Sequence, residues 1–157
     1  MVTAEVLRGT ELFATLSEAQ LQSVVGLCQE ESHEPGETLF VEGAEARTIY
    51  ILLEGTVTLR IQTPVGTEVM VYTVRNPGEV FGWSALVEPR RFTATARCLE
   101  KSRVIAIDGP ALRALLEENK VIGYSVMRTL ASVVSLRLRS TRSQLTGLLA
   151  KAPVTAG

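Results

Sequence analysis

The sequence has few of the residues that build metal centres and disulfide frameworks. Its 157 residues include two cysteines, Cys28 and Cys98, and a single histidine, His33. A structural zinc site needs about four ligands, and a disulfide framework needs several cysteines at regular spacings. The composition therefore predicts two reduced thiols and no metal site.

Catalytic motifs are also missing. His33 stands in an acidic run that includes Glu31, Glu34 and Glu37, which is typical of a solvated surface, and no triad partner lies near it in the sequence. The chain has no nucleophile elbow, Walker loop or HExxH pattern. We therefore predict that the protein is not an enzyme and that it has no catalytic residue.

Long apolar runs are absent as well. No run approaches the roughly 18 to 20 residues that a membrane span needs, and the start of the chain lacks the basic and apolar segments of a secretion signal. Hydrophobic residues still make up 46% of the chain, enough for one compact core. We expect a soluble, cytoplasmic protein with one globular domain and no membrane span.

What the sequence does contain, from residue 38 to residue 108, is a series of short runs rich in β-branched residues. Turn signals separate these runs at residues 42–43, 54–55, 64–66 and 76–78. Short strands at such spacing predict a sandwich or a barrel. Gly55 lies between two of the runs, where a tight hairpin requires a positive φ.

Helical patterns flank this β-rich segment. Ser17 and Gln20 form a predicted capping box, and an apolar stripe follows at Leu21, Val24, Val25 and Cys28. After the strands, Asp108 is a predicted N-cap, Pro110 suits the first turn and Asn119 marks an interruption. A longer helix follows, with one broad apolar face predicted at Val126, Leu130, Val133, Val134 and Leu138.

Three glycine-punctuated segments carry a family resemblance. Residues 35–43 read PGETLFVEG, residues 49–57 read IYILLEGTV, and residues 77–82 read PGEVFG. In this order, and followed by Ala85-Leu86 and Ala94-Thr95, they resemble the cyclic-nucleotide-binding domains of cAMP-regulated kinases, gated channels and catabolite-activator-type regulators. The resemblance implies a mainly β fold, a jelly-roll-like β-barrel (double-stranded β-helix) with flanking N-terminal and C-terminal helices.

The resemblance also implies a division of the chain. Residues 1–118 correspond to the barrel domain with its N-terminal helices, residues 119–150 to a C-terminal amphipathic helix, and residues 151–157 to a flexible tail. In the family's transcription regulators a DNA-reading domain follows this helix, and we expect none here.

The ligand cassette of the family aligns with residues 78 to 97, but its two charged contacts are replaced. The family's Glu, which binds the ribose hydroxyl, aligns with Trp83, and its Arg, which pairs with the cyclic phosphate, aligns with Phe92. The remaining features of an anion site are kept, because Gly82 permits close approach, Ser84 and Ala85 can offer N–H groups and Thr93 can add a hydroxyl. The candidate ligand-binding residues are Gly82, Trp83, Ser84, Ala85, Arg90, Arg91, Phe92 and Thr93.

Three interpretations of this cassette stay open. Trp83 and Phe92 fill the pocket as apolar packing, or they stack on a different flat ligand, or cAMP binding is retained because Arg90 or Arg91 replaces the missing cation. Period-two alternation from Phe92 places Ala94, Ala96 and Cys98 on its inward face and turns Arg91 outward, unless a bulge re-aims it. No cofactor is predicted beyond cAMP or another small ligand in this pocket.

Charge is divided unevenly along the chain. All 17 acidic residues precede residue 119, whereas the six basic residues beyond it have no acidic neighbour. Such a basic amphipathic helix can contact nucleic acid, an anionic membrane surface, the acidic body of the protein or a partner helix. By resemblance we expect a homodimer through this helix, with a monomer whose helix covers the pocket as the alternative. A regulatory role through an unidentified protein partner follows from either.

Overall fold

A computed structural model describes residues 1–151, and residues 152–157 of the predicted tail lie outside the described residues. Two antiparallel sheets of four strands form a jelly-roll-like β-sandwich with flanking helices, which confirms the predicted fold class. The first sheet has the order β1 (Cys28–His33), β8 (Ser102–Asp108), β3 (Thr48–Glu54), β6 (Val80–Phe81). The second has the order β2 (Thr38–Phe40), β7 (Thr95–Cys98), β4 (Val57–Gln62), β5 (Glu68–Val74).

The core lies between the sheets and under the N-terminal helices. Residues 49–52 of β3 and 104–107 of β8 are all buried, so both faces of these paired strands are covered. Helix α1 (Ala4–Arg8) and helix α2 (Glu18–Val25) contribute Leu7, Leu21 and Val24 to the same apolar cluster. Burial of these side chains is the main force that holds the helices on the sandwich.

Local chemistry predicted the helix starts well. Ser17 and Gln20 form the expected capping box of α2, and the Asp108 carboxylate accepts a 2.8 Å hydrogen bond from the Ala111 N–H at the start of α3 (Gly109–Glu118). Asn119 separates α3 from α4 (Lys120–Lys151), and its side chain caps α4 by accepting from the Ile122 N–H. These contacts satisfy N–H groups that lack partners within a helix.

One predicted helix boundary was wrong. Cys28 does not continue the apolar stripe of α2, because that helix ends at Val25 with Gly26 as its C-cap, and Cys28 begins β1. Gly26 is a poor helix former and a common residue at helix ends, which explains the early stop.

Gly55 connects β3 to β4 with φ of 103°. A Cβ atom at this position would lie 2.3 Å from Ser102 Oγ and 2.6 Å from the Lys101 carbonyl oxygen. The predicted hairpin glycine is therefore required both by its backbone conformation and by the close approach of β8.

The single apolar face predicted for α4 was wrong, because two faces exist. Val126, Leu130 and Val133 are buried against the domain, whereas Val134 is 38% exposed and Leu138 is 57% exposed. Val126, Leu130 and Val133 follow the docked side of the helix. At 100° per residue, Val134 and Leu138 lie about a quarter of a turn away from them.

Within residues 1–151, α4 is also the one helix long and apolar enough to cross a membrane by length and composition alone. Its most apolar 18-residue window has a mean hydropathy of 1.3, and 28% of that window is buried in the domain. This finding differs from the sequence prediction, which considered only uninterrupted apolar runs. Length and composition do not distinguish a spanning helix from one packed on a globular core, and the burial of Val126 and Leu130 favours packing.

Candidate ligand site

A small cavity of about 50 Å³ lies where β6 ends and the next turn begins. Phe81 closes β6, Gly82 turns the chain, and residues Trp83–Leu86 form one turn of 3₁₀-helix. The opposite wall is the segment that leads into β7, and β2 and β4 supply the remaining side chains. The lining residues are Phe40, Leu59, Gly82, Trp83, Ser84, Phe92, Thr93 and Ala94.

Gly82 has φ of 75°, in the left-handed region that favours glycine. A Cβ atom there would lie 3.2 Å from Phe40 Cε2 and 3.5 Å from Phe92 Cε1. Glycine suits this turn because any other residue would be strained at this φ and its Cβ atom would press on Phe40.

Aromatic rings fill most of the space around the cavity. Phe40 and Phe92 stack with their centroids 3.8 Å apart and their planes 11° apart, and Phe40 also stacks on Tyr50 at 5.9 Å. Tyr50 in turn stacks on Phe81 at 5.4 Å. Phe92 is 6% exposed and belongs to the continuous apolar core. Of the four residues predicted to face inward, Phe92, Ala96 and Cys98 are buried, whereas Ala94 is partly exposed and lines the cavity.

This combination of sandwich, turn and cassette matches known proteins. Residues 30–119 match the model of the cyclic nucleotide-binding domain. A protein of Geobacter metallireducens GS-15, classed as cyclic nucleotide-binding, is 34% identical; the match covers 88% of this chain and 99% of that one, with a TM-score of 0.79. The chain belongs to the cyclic nucleotide-binding domain family.

Two further relatives are regulators. The N-terminal domain of a transcriptional regulator from Streptomyces coelicolor A3(2) is 30% identical, covers 97% of this chain and 99% of that chain, and has a TM-score of 0.69. A CRP-like cAMP-activated global transcriptional regulator from Mycobacterium tuberculosis is 26% identical over 92% of this chain. The chain spans 62% of the length of that regulator.

Of the residues predicted for the cassette site, Gly82, Trp83, Ser84, Phe92 and Thr93 line the cavity. Ala85 is fully buried behind it. The Ala85 N–H donates to the Gly82 carbonyl at 3.5 Å, and the Ala85 carbonyl accepts a 2.7 Å hydrogen bond from Arg113 Nη1. The cassette turn is thus bonded internally and tied to helix α3.

The two arginines in the loop after the cassette turn, Arg90 and Arg91, point away from the cavity. Arg91 is exposed, and its Nη1 donates to the Gly43 carbonyl at 3.0 Å. Arg90, with φ of 57°, pairs with Glu88 at 3.0 Å and lines a different cavity. The residues that line the cassette cavity therefore carry no charged side chain.

Arg137 of α4 is the main residue near this site that the sequence analysis missed. Its guanidinium lies over the rings of Tyr72 and Trp83, with 4.5 Å and 5.2 Å between its central carbon and the ring centroids. Its Nη2 lies 2.8 Å from a Glu11 carboxylate oxygen and 3.2 Å from one of Glu79. The Arg137 side chain is only 12% exposed, so it is a partly buried cation held by two carboxylates and two aromatic rings.

The surroundings of Arg137 are themselves bonded. The Tyr72 hydroxyl donates to Glu79 Oε2 at 2.8 Å, and burial together with this hydrogen bond raises the pKa of Tyr72 to about 12. Glu79 Oε1 accepts from the backbone N–H of Asn76 at 2.8 Å. Helix α4 is therefore fastened to β5, to the β5–β6 turn and to the cassette by one side chain. A sequence signal existed, because Arg137 continues the buried positions 126, 130 and 133.

The two cysteine thiols and the possible metal ligands of the described residues do not form a reactive site. Burial raises the pKa of the Cys28 thiol to about 12 and also raises the pKa of the Cys98 thiol, so neither is an activated nucleophile. Across residues 1–151, no group of three His, Cys, Asp or Glu side chains is placed to hold a metal ion.

Proposed function

We propose that this chain is a non-enzymatic regulatory module of the cytoplasm whose nucleotide pocket is closed by aromatic packing, so that cAMP and cGMP binding is lost. Its signal is carried by the position and pairing of α4. The observation that supports this best is the stack of Phe92 on Phe40, with 3.8 Å between the ring centroids at the position that aligns with the family's phosphate-binding Arg.

Charge supports the proposal. A cyclic phosphate is bound well when a cation and N–H donors meet it in a site partly screened from water. The lining residues of the cassette cavity supply no cation, and Arg90 and Arg91 are bonded to other groups. Loss of two charge-assisted contacts at roughly 1.5 to 3 kcal/mol each corresponds to about two to four decades of affinity.

Size supports it too. Small-molecule sites usually enclose about 300 to 1,000 Å³. The cavity beside Phe92 encloses about 50 Å³. A nucleotide would therefore have to displace Phe92 or Trp83, and displacing Phe92 would break its stack with Phe40.

The exposed face of α4 supports a homodimer as the output state. Between residues 131 and 148, positions spaced alternately by three and four residues carry apolar side chains and a single hydroxyl: Ala131, Val134, Leu138, Thr141, Leu145 and Leu148. All of them are exposed, with Leu138 at 57% and Leu145 at 56%. This heptad pattern is typical of a coiled-coil seam. Because the buried face of α4 is a separate stripe, the helix can dock on its own domain and pair with a second copy simultaneously.

Calorimetric titration of the purified chain with cAMP and cGMP tests the proposal. Trp83, the only tryptophan, provides an independent fluorescence signal at the cavity. We expect no saturable heat and no saturable change in emission up to about 1 mM nucleotide, in a sample that unfolds cooperatively. Saturable binding at micromolar nucleotide would contradict the proposal and would mean that the aromatic stack opens.

A further inference from the structure

A second and larger cavity of about 470 Å³ lies outside the sandwich, in the elbow between α3 and α4. Its third wall is formed by Leu86, the last residue of the cassette turn, and by Arg90 of the loop that follows the turn. The volume lies within the range of about 300 to 1,000 Å³ that accommodates small organic ligands. The elbow can form because Gly123 of α4 packs directly on α3, where a Cβ atom would lie 2.3 Å from the Leu116 carbonyl oxygen.

Positive charge converges on this cavity from all three walls. Arg90 comes from the loop, Arg113 from α3 and Lys120 from the start of α4, whereas Glu117 is the one carboxylate among the lining residues. The Nε atom of Arg90 is buried and has no hydrogen-bond partner among residues 1–151. Its Nη2 is paired only with Glu88, whose side chain is 75% exposed. A surface pair of this kind is weak and is readily exchanged for a ligand oxygen.

The rest of the wall is apolar. Leu86 and Leu116 are largely covered, and Met127 and Tyr124 flank the opening with 37% and 69% exposure. An anion with a flat or aliphatic body would satisfy both parts of such a site, because the cations would hold its charged end and the apolar side chains its body.

We propose that this elbow cavity binds a small organic oxyanion, a carboxylate or phosphate on an apolar body, through Arg90, Arg113 and Lys120. The bound ligand would join the cassette loop to both helices. Arg113 already bonds to the Ala85 carbonyl of the cassette turn, so occupancy would fix α3 and α4 relative to the cassette. This site is separate from the cassette cavity, and the inference holds whether or not the cassette cavity binds a nucleotide.

Binding of 6-fluoro-2-naphthoate and of 6-fluoro-2-naphthyl phosphate to the full chain, followed by fluorine NMR, tests the proposal. The neutral 6-fluoro-2-naphthamide has the same body without the charge. We expect either anion to bind at least tenfold more tightly than the amide. The relative affinities of the two anions distinguish a carboxylate site from a phosphate site.

Variants locate the binding. The double variant R90Q/K120Q removes two cations from the cavity, and R139Q/R142Q removes two from the exposed part of α4, away from it. We expect the first to weaken anion binding by at least tenfold and the second by less than twofold, with unchanged circular dichroism and sedimentation for both. Equal binding of the amide and the anions, or equal losses in the two double variants, would overturn the assignment.

Discussion

The guanidinium of Arg137 lies 5.2 Å from the centre of the Trp83 ring, so a cation from the last helix lies over the residue that we predict to occupy the position of the family's ribose-binding Glu. The same guanidinium is paired with Glu11 and Glu79. The cassette turn and α4 are therefore in direct contact through the Arg137 side chain. This contact gives a physical basis for coupling between the cavity and the helix.

Replacing Arg137 with Ala should release the middle of α4. We expect a loss of about 3 kcal/mol in the free energy of unfolding, because Glu79 is left buried without its cation, and a shift in the emission of Trp83. Chemical denaturation and fluorescence measure both. Arg139→Ala, on the exposed side of the same helix, should change the free energy by less than about 0.5 kcal/mol. Equal effects of the two substitutions would show that Arg137 does not fasten the helix.

Restoring the family's charged residues should restore nucleotide binding. In W83E/F92R, the new carboxylate and guanidinium would supply the ribose and phosphate contacts, and we expect cAMP affinity to rise by at least tenfold. Calorimetry measures the gain. The control variant W83L/F92L also removes the two aromatic rings from the cavity but introduces no charge, so its cAMP affinity should not rise. A well-folded W83E/F92R protein with no gain would mean that Trp83 and Phe92 do not occupy the two ligand-contact positions.

The dimer seam is tested with two exposed leucines of one helix. Leu138 occupies one of the heptad positions of the exposed face, whereas Leu136 does not. The two side chains are similarly exposed, at 57% for Leu138 and 62% for Leu136, so Leu136 is a matched control. Leu138→Glu should place like charges opposite each other in the seam and weaken the dimer at least tenfold. Sedimentation velocity over a range of concentrations measures this change. Leu136→Glu should leave the dimer intact, and a chain that is monomeric throughout would refute the seam.

His33 should make the stability depend on pH. Burial disfavours its charged form, but hydrogen bonds to Glu37 and Glu31 outweigh that effect and raise the pKa of His33. Because the pKa of His33 is higher in the folded state, its protonated form stabilises the fold. This contribution to the free energy of unfolding is complete below the pKa of the unfolded state, about 6.5, and is lost as the pH rises through the pKa of the folded state.

The melting temperature, measured between about pH 5.5 and pH 8.5, should therefore fall with rising pH more steeply for the natural chain than for H33Q. The substitution removes the titrating group but keeps a polar side chain. Parallel curves for the two proteins would show that the His33 cluster does not contribute to stability.

Much of this protein was determined by short-range chemistry that can be read along the chain. The capping residues Ser17 and Asp108, the break at Asn119 and the hairpin glycine Gly55 were all predicted, because each depends on neighbours within a few residues. The alternation that buries Phe92 and Cys98 was predicted for the same reason. The order of the glycine-punctuated strands also indicated the family.

Only the tertiary structure decided what those elements contact. Phe40 meets Phe92, and Arg137 meets Glu11 across 126 residues, through strand pairing and helix docking that no local period encodes. The placement of Arg90 in the elbow cavity likewise depends on how the loop after the cassette turn packs against α3 and α4. The sequence pattern of α4 showed that the helix is amphipathic. It did not show that α4 has two apolar faces, one buried and one exposed, because burial depends on the surface against which a helix docks.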